Sequence, residues 1–446
     1  MATKFKVIQT AKDTGDKLSK KKDINLLSKL NSSLPVVALD RTKTYQEIIG
    51  FGGAFTEAAS TTLDKMSSDK RKEIMKAYFD PKNGHGYTLC RTHINSCDFS
   101  LGNYAYCEVD GDTKLKNFDI SRDKKSLIPM IKEATKLAKG GMILFASPWS
   151  PPAWMKTNGQ MNHGGQLKKE YWQTWAYYFA KYIKTYAKAG IKIWGVTVQN
   201  EPEATQVWDS CRYSGEEERD FVKVLGPMLE KEGLSDVKIM IWDHNKNIIY
   251  ARAKTILSDP QAAKYVWGVG FHWYSGDQFE ELDKVHKEFP FTKLVFTEGC
   301  LERGVQLGSW NPGEKYGHDI IGDLNNWTVG WTDWNMILDE TGGPNHVNNL
   351  CDAPIICDTK TNTVHYQNSF YYLGHFSRYI RPGALRIDSV STIDQLEITS
   401  FLNRDSKIAT VVMNRTDAPI DFVIKLDDKS AKVNSPAHSI ITLIAE

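Results

Sequence analysis

Two glutamates follow short apolar segments of the kind that form buried β-strands. Glu201 comes directly after IKIWGVTVQN (191–200), and Glu298 comes directly after KLVFT (293–297). Continuous apolar, β-branched runs are typical of strands that are buried on both faces. In a closed barrel of parallel strands, the side chains at the carboxyl ends of the strands carry the chemistry. Two carboxyl groups in that position predict glycoside hydrolysis, which needs a proton donor on one side of the anomeric carbon and a base or nucleophile on the other.

The distance between the two carboxyl groups would decide the stereochemical outcome. A separation of about 5 Å corresponds to double displacement with retention, and about 6.5–9.5 Å corresponds to inversion. Either glutamate alone could simply form a salt bridge at the rim of the barrel. Two glutamates in the same context favour a catalytic pair, in which the local environment decides which carboxyl group stays protonated.

Eight short apolar segments predict the strands that would position these side chains. Amphipathic segments separate them, the clearest at 166–190, where apolar residues recur every three or four positions and Gly190 could cap the helix. Repeated strand–helix alternation is typical of a (β/α)8 barrel. A doubly wound open sheet is the competing fold, but no Gly-x-Gly-x-x-Gly motif follows the first strand. The predicted strands are 47–55, 87–94, 141–147, 191–199, 237–242, 266–273, 293–297 and 327–334.

The last part of the chain contains short strands rather than helices. Segments 396–402, 407–413, 420–426 and 438–445 are separated by Asn, Asp and Ser-Pro turns, which predicts a small β-sandwich. Two strand candidates near the N-terminus, 5–10 and 36–39, would pair into the same sheet, because an isolated hairpin is unstable. The predicted domains are therefore N-terminal sandwich strands at 1–48, a catalytic barrel at 49–375 and the C-terminal sandwich at 376–446.

The composition is that of an ordinary globular protein. The 446 residues are 41% hydrophobic and 25% charged, and the net charge of +2 disfavours a nucleic-acid partner, which would need a concentrated basic surface. Seven cysteines, an odd number without zinc-type spacing, predict reduced thiols. The first residues lack the apolar region of a secretory signal, and no run reaches the ~20 apolar residues of a membrane span. We therefore expect a cytoplasmic protein, or a secreted one if a signal peptide has been removed.

Several longer motifs lie around the predicted strand ends. They are FGGAFTEAA (51–59), CR (90–91), SCDFS (96–100), ASPWSPPAWMKTN (146–158), NEP (200–202), HWY (272–274), TEGC (297–300) and GWTDWN (330–335). In this order, the motifs resemble the glucosylceramidase-like members of glycoside hydrolase family 30, from about residue 48 to the sandwich. The resemblance implies an α/β fold, a (β/α)8 TIM barrel with an attached β-sandwich, and catalysis with retention.

The resemblance also implies roles for the residues nearest the reacting bond. Glu201 matches the acid/base and Glu298 matches the nucleophile. Asn200 would hydrogen-bond the sugar 2-hydroxyl, a contact that can strengthen in the transition state. Arg91 would keep the nucleophile ionised, because an adjacent guanidinium lowers the pKa of a carboxyl group. Tyr274 would donate a hydrogen bond to the same carboxylate.

Five further residues would complete the sugar site. By the same resemblance, Asp98 and Trp149 would bind sugar hydroxyls at the closed end of the pocket, and Trp334 and Asn349 would line it. His272 could orient another group of the site, or could be a satisfied core histidine.

Other chemically active side chains have simpler interpretations. Cys300 could suggest a thiol mechanism, but no His/Asp pattern accompanies it. We therefore expect Cys300 to be a small packing residue beside the pocket. Glu203 is expected to face solvent. Asp243 and His244 could suggest a metal, but the first strand lacks a His-x-His pair, and we expect no metal and no cofactor. Trp208 could stack on the aglycone or pack its own loop.

We expect a retaining β-glycosidase that acts on terminal β-linked glucose, or on related xylose or fucose. The partner would be a small-molecule glycoside or glycolipid with a glucosylceramide-like, aryl or oligosaccharide aglycone. An endo-β-1,6-glucanase with the same catalytic pair in a more open groove is the alternative within the class. A non-catalytic carbohydrate-binding protein is the alternative from another class, and the joint presence of Asn200, Arg91 and both glutamates disfavours it. The sequence leaves the aglycone and the oligomeric state open.

Overall fold

The chain folds into a closed barrel and an attached β-sandwich. The computed structural model describes residues 3–28, 30 and 32–446. Residues 1, 2, 29 and 31 belong to the segment predicted to supply the N-terminal sandwich strands, and they lie outside the described residues. The N-terminal strands are β1 (Lys4–Ala11), β2 (Ser19–Lys20), β3 (Ile24–Asn25) and β4 (Val36–Glu47).

Eight parallel strands form the barrel, and the last strand pairs with the first to close it. These strands are buried on both faces, as an all-parallel sheet covered by helices requires. The predicted (β/α)8 TIM barrel is confirmed. Its strands are β5 (Gly50–Phe55), β6 (Leu89–Ile94), β7 (Ile143–Pro148), β8 (Gly195–Thr197), β9 (Lys238–Asn245), β10 (Val266–His272), β11 (Lys293–Glu298) and β12 (Thr328–Asn335).

Helices on the outside of the barrel bury one apolar face each. A capping box explains where α5 begins: the Ser214 hydroxyl accepts from the Glu217 amide, and the Glu217 carboxylate accepts from the Ser214 amide. The helices are α1 (Glu57–Lys65), α2 (Ser68–Phe79), α3 (Leu127–Leu137), α4 (Trp172–Lys188), α5 (Gly215–Lys231), α6 (Ile249–Leu257), α7 (Pro260–Ala263), α8 (Phe279–Glu288), α9 (Asn311–Asn325) and α10 (Asn368–Ser377).

Beyond the barrel, the chain returns to its N-terminal strands. β1 pairs antiparallel with β21, β4 pairs with β16, and a ten-stranded sheet results, which confirms the predicted joint sandwich. Its own core includes Phe5, Val37 and Phe422. The strands after the barrel are β13 (Ile337–Asp339), β14 (Ile355–Asp358), β15 (Thr363–Tyr366), β16 (Leu385–Ser391), β17 (Leu396–Leu402), β18 (Ile408–Asn414), β19 (Ile420–Leu426), β20 (Lys429–Ser435) and β21 (Ser439–Ala445). Strands β13–β15 form a separate small sheet.

Five barrel strands are shorter than the apolar segments that predict them, and β5 and β8 lose the most residues. Glu47 ends sandwich strand β4, and the chain turns into the barrel before β5 begins. In the segment predicted as 191–199, only Gly195–Thr197 (β8) pairs with neighbouring strands. The Asn200 amide then donates to the Pro148 carbonyl at 2.9 Å, which draws Asn200 and Glu201 over the mouth of the barrel.

The seven cysteines are buried, and none of them forms a disulfide bond. Two of them are close together beside the barrel mouth, where the sulfur atoms of Cys300 and Cys351 lie 3.4 Å apart as thiols. Among the helices of the described residues, none has the length and apolar character that a membrane-spanning segment needs.

Candidate active site

The ten side chains that the sequence predicts for the site converge on the carboxyl ends of the barrel strands. Eight of them line a cavity of about 250 Å³, and the other two, Arg91 and His272, lie behind its wall. Four are within strands: Arg91 in β6, His272 in β10, Glu298 in β11 and Trp334 in β12. The other six follow strand ends: Asp98 after β6, Trp149 after β7, Asn200 and Glu201 after β8, Tyr274 after β10, and Asn349 after β13.

Glu201 and Glu298 face each other across this cavity. One oxygen of each, together with one ring nitrogen of His272, lie within 4.8 Å of one another. Their side chains are 14% and 8% exposed, so both open into the cavity rather than into packed interior. An upper limit of 4.8 Å between the nearest oxygens fits double displacement, in which the carboxyl groups are roughly 5–5.5 Å apart, better than the roughly 6.5–9.5 Å that leaves room for an attacking water.

Arg91 connects the two sides of the site from beneath. Its Nη1 donates to Glu298 Oε2 at 2.5 Å, and its Nη2 donates to Asn200 Oδ1 and to Asp243 Oδ2, each at 2.8 Å. The guanidinium carbon lies 4.7 Å from the ring centre of Trp149, which adds a cation–π contact. Arg91 is fully buried, and its fixed planar fork therefore sets the position of the Glu298 carboxylate.

His272 faces a carboxylate with each of its ring nitrogens. Nδ1 lies 3.3 Å from Glu201 Oε1, and Nε2 lies 3.0 Å from Asp243 Oδ1. When both carboxylates are ionised they only accept hydrogen bonds, so both ring nitrogens then carry a hydrogen and the ring is an imidazolium. Burial disfavours this cation, but the charge of Glu298 and the hydrogen bonds to Asp243 and Glu201 outweigh burial and raise the pKa of His272 to about 9.

The two glutamates titrate together with this imidazolium. Burial and the charge of Glu201 raise the pKa of Glu298 above the usual glutamate value, and His272 and Arg91 offset the rise only in part. Burial also disfavours ionised Glu201, but the hydrogen bond from His272 and the nearby His244 hold the pKa of Glu201 below its usual value. The proton on the Glu201 side of the site is therefore carried by His272. The family resemblance, in contrast, implies an acid that holds its own proton.

Asp243 is a member of this cluster that the sequence analysis considered only as a metal ligand. It is fully buried, and it accepts hydrogen bonds from the hydroxyls of Thr197 and Thr297, each at 2.6 Å, in addition to those from Arg91 and His272. Burial disfavours its charge, but Arg91 and these donors hold the pKa of Asp243 well below its usual value. Its position at a strand end was the only signal in the sequence.

A bulge in β9 aims Asp243 into the site. Trp242 and Asp243 have φ values of 72° and 55°, and the pairing of β9 with β10 shifts register at this point. Glu201 is also left-handed, with a φ of 48°, and its amide donates to the Asp243 carbonyl at 3.0 Å. Such conformations cost about 1–3 kcal/mol for a residue with a side chain, and they persist where the surrounding contacts fix them.

The closed end of the cavity combines polar groups with an aromatic wall. Asn349 Nδ2 donates to Asp98 Oδ2 at 2.9 Å, and Asp98 Oδ1 is buried without a partner. Burial and the charge of Glu298 raise the pKa of Asp98 well above its usual value, and the hydrogen bond from Asn349 opposes this rise. The rings of Trp149 and Trp334 stack with centroids 5.1 Å apart. Such a wall suits the apolar face of a sugar, and Asp98 suits its hydroxyls.

The open side of the cavity contains residues that the sequence analysis missed or left open. Trp208 lines the cavity with Cys300, and so do Gln206, His244 and Glu302, which were not predicted for the site. Glu203 does not line it; its side chain is 44% exposed and lies 3.7 Å from Arg252. Gln206 and Glu302 lie in loops, where hydrophobic periodicity gives no signal, and His244 lies at the carboxyl end of β9.

Three ligand atoms from Glu201, His272 and Glu298 are close enough together to meet on one metal ion. An imidazolium has no free lone pair for a metal. Because the pKa of His272 is about 9, the ring keeps both of its N–H protons near neutral pH. The positive charge of Arg91 also lies 2.5 Å from Glu298. The protonation of this cluster therefore does not fit a divalent cation near neutral pH.

Two carboxyl groups at this separation, at the strand ends of a parallel barrel and beside a sugar-sized cup, define a glycoside hydrolase. Comparison with known families gives the same class. Residues 48–380 match the TIM-barrel domain of glycosyl hydrolase family 30, and residues 383–443 match the β-sandwich domain of that family. The chain belongs to glycoside hydrolase family 30.

Individual relatives are similar over nearly the whole chain. The lysosomal acid glucosylceramidase of Mus musculus is 38% identical over 429 residues, which cover 92% of this chain and 83% of that protein. An endo-1,6-beta-D-glucanase of Neurospora crassa is 28% identical over 420 residues, which cover 90% and 85%. The crystal structure of SrfJ from Salmonella typhimurium superposes with a TM-score of 0.95, at 38% identity and 99% coverage of both chains. The names of these relatives include two different activities, so similarity alone does not choose the substrate.

Proposed function

We propose that this chain is a retaining β-glycosidase that releases terminal β-linked glucose, or related xylose or fucose, from a lipid, aryl or oligosaccharide aglycone. The observation that carries the proposal is the cavity itself. Glu201 and Glu298 have oxygens within 4.8 Å of one another, and Asp98 and Asn349 are joined by a hydrogen bond at the closed end. The volume of about 250 Å³ is below the roughly 300–1,000 Å³ of pockets for drug-sized ligands. It suits one sugar ring rather than an extended chain.

In the first chemical step, an oxygen of Glu298 forms a bond to the anomeric carbon while the bond to the aglycone oxygen breaks. Glu201 takes a proton from His272 across their 3.3 Å contact and passes it to that oxygen, so that Glu201 ends the step ionised and His272 ends it neutral. Formation of the ester removes the Glu298 charge, which is a main support of the imidazolium, and this favours proton transfer toward Glu201. In the second step, ionised Glu201 accepts a proton from water, the water oxygen bonds to the anomeric carbon, and Glu298 leaves as a carboxylate. The proton then returns from Glu201 to His272, which restores the starting state.

An endo-β-1,6-glucanase is the second candidate. Trp208, Gln206 and Glu302 lie on the open side of the cavity and could hold another sugar residue there. Two relatives, one of Neurospora crassa and one of known structure with a TM-score of 0.90, are named as β-1,6-glucanases. Product length separates the two functions: an exo-enzyme releases monosaccharide from the start, whereas an endo-enzyme first releases oligosaccharides.

A substrate panel tests the proposal. Nitrophenyl β-glucoside, β-xyloside and β-fucoside would be assayed beside glucosylceramide and β-1,6-glucan, with NMR detection of the first-formed anomer. We expect hydrolysis of a β-glycoside with β-product first, and monosaccharide as the initial product. The Glu298→Ala variant is the matched control for contaminating activity. Initial α-product would refute retention, and early oligosaccharides from the glucan would favour the endo-enzyme. Lack of turnover on every glycoside would favour a non-catalytic sugar-binding protein.

A further inference from the structure

A second, strongly basic cavity lies where the sandwich meets the barrel. Its volume is about 630 Å³, and its wall is formed by the end of α10, strands β1, β2 and β21, and the turn between β17 and β18. Six cationic side chains line it, with only two carboxylate side chains, in a chain whose total net charge is +2. The cations are Lys6, Lys20, Arg378, Arg381, Arg404 and Lys407, and the carboxylates are Asp405 and Glu446.

Ion pairs account for half of these cations. Lys6 pairs with Glu446 at 2.7 Å, Lys407 with Asp405 at 2.6 Å, and Arg404 with Glu47 at 3.0 Å. The other three are Lys20, Arg378 and Arg381. No carboxylate within residues 3–28, 30 and 32–446 lies within 4.0 Å of their charged nitrogens. Both arginines are only partly exposed, and burial lowers the pKa of each. A half-buried cation without a counter-ion is destabilising, and a bound anion would relieve it.

Hydrogen bonds to the protein hold both arginines, and those of Arg381 use only one edge of its guanidinium. Arg378 Nε donates to His85 Nδ1 at 3.4 Å, and the fully buried His85 in turn donates from Nε2 to the Phe370 carbonyl at 2.7 Å. Arg381 Nη1 donates to the carbonyls of Gly86 at 2.8 Å and Ser377 at 2.6 Å. In the described part of the chain, the Arg381 Nε and Nη2 groups lack a hydrogen-bond acceptor, whereas the Arg378 side chain also hydrogen-bonds that of Tyr379.

Arg378 and Arg381 follow the end of α10 at Ser377, and both line the cavity. Paired guanidinium forks match the oxygens of a phosphate group, and Lys20 adds a third charge at the rim. Ile8, Tyr379 and Ile444 supply an apolar wall beside them. We propose that this cavity binds a phosphate group, either as inorganic phosphate or as part of a small organic phosphomonoester.

This site would be separate from the catalytic one. Gly86, which contacts Arg381, precedes β6, whereas the glutamate pair lies at the carboxyl ends of the strands. The basic cavity therefore lies beside the amino end of β6, and it shares no lining residue with the catalytic cavity. The phosphate proposal does not depend on which glycoside is hydrolysed.

Calorimetric titration of the whole protein, at low ionic strength, with inorganic phosphate and then phenyl phosphate tests the proposal. We expect saturable binding of one phosphate per chain, weakened by added salt because the contacts are ionic. Phenyl phosphate binds more tightly if the apolar wall takes part, and equally if the cavity recognises phosphate alone. Arg378→Gln should weaken binding about tenfold or more, because hydrogen bonds to charged groups are the strong ones. Lys20→Gln should weaken it about threefold through the lost charge.

Arg41→Gln is the matched control, because Arg41 is a sandwich arginine that pairs with Asp427 and lies outside the cavity. It changes the net charge equally and should leave phosphate affinity within about twofold of the parent. Lys20 is exposed, so Lys20→Gln remains informative if Arg378→Gln fails to fold. Three results would overturn the proposal: no saturable binding at millimolar phosphate, equal affinity in parent and both cavity variants, or competitive inhibition of glycoside turnover, which would place the anion in the catalytic cavity.

Discussion

Replacing His272 by glutamine tests the charge of the site through stability rather than through turnover. His272 is fully buried, and its pKa rises from 6.5 to about 9 in the folded protein, a difference of about 2.5. At about 1.36 kcal/mol for each pKa unit, the imidazolium in this site is stabilised by about 3 kcal/mol relative to the unfolded chain. Glutamine can still donate a hydrogen bond to Glu201 or Asp243, but it carries no charge.

The sign of the effect follows from the direction of the shift. A raised pKa means that the folded protein binds the proton more tightly than the unfolded chain does. The stabilisation is therefore fully present below pH 6.5 and is lost as the pH rises toward about 9. Urea unfolding of the parent and of His272→Gln would be followed by tryptophan fluorescence between pH 6 and pH 9.5. We expect the free-energy difference between them to shrink by about 3 kcal/mol across this window.

His244 supplies a matched control of opposite sign. Its ring centre lies 6.2 Å from that of His272, and burial outweighs the nearby Glu201 and holds the pKa of His244 below 6.5. Folding therefore disfavours protonated His244, and His244→Gln should become relatively more stable only below pH 6.5. A free-energy difference between the parent and His272→Gln that stays constant from pH 6.5 to 9 would refute the imidazolium.

The same reasoning applies to turnover. If His272 supplies the proton that Glu201 donates, the alkaline limb of kcat/KM should lie near the His272 pKa of about 9. In His272→Gln, Glu201 must hold its own proton, so we expect the limb to move to lower pH. An unchanged limb, in a variant that retains measurable activity, would show that His272 is not the proton source.

Three further substitutions test the individual roles. Glu298→Ala should lower kcat by several orders of magnitude while the protein stays folded, and a rate above about a tenth of the parent would contradict its role as nucleophile. Glu201→Ala should still form the glycosyl ester from activated aryl glycosides, with azide accelerating the second step, and failure of azide to do so would contradict the acid/base role. Tyr274→Phe removes a hydroxyl that donates to Glu298 Oε1 at 2.9 Å. Since such a bond contributes about 1.5–3 kcal/mol, kcat/KM should fall roughly tenfold to a hundredfold, and an unchanged value would exclude a contribution to the transition state.

The fold could be predicted from the sequence because its signals are local. The segments 396–402 and 420–426 have the same bounds as β17 and β19, since both are apolar runs between turn residues. β20 was not predicted, because its sequence KSAKVNS is largely polar. It forms a strand because seven of its residues pair with β19. Pairing between segments provides that stability, and a hydrophobic pattern does not reveal it.

In the active site too, the residues that local sequence patterns reveal could be predicted, and those that depend on contacts between distant segments could not. Glu201 and Glu298 could be identified by their position at strand ends, but the importance of Asp243 depends on a bulge and on donors from four other strands or strand ends. The charge of His272 likewise depends on carboxylates that are distant in the sequence. The individual roles, the domain boundaries and the cytoplasmic location remain predictions.

Asp243 explains how two cations can lie beside a nucleophile without neutralising it. Arg91 and His272 carry two positive charges, while Asp243, Glu201 and Glu298 carry three negative charges when ionised, which leaves one negative charge in excess. Asp243 is fully buried, whereas the two glutamates open into the cavity. The excess negative charge therefore faces the sugar, where the oxocarbenium-like transition state is positive. Asp243→Asn would remove one support of the imidazolium, and we expect the pKa of His272, measured by NMR titration, to fall below about 9. An unchanged pKa would mean that the glutamates alone sustain this cation.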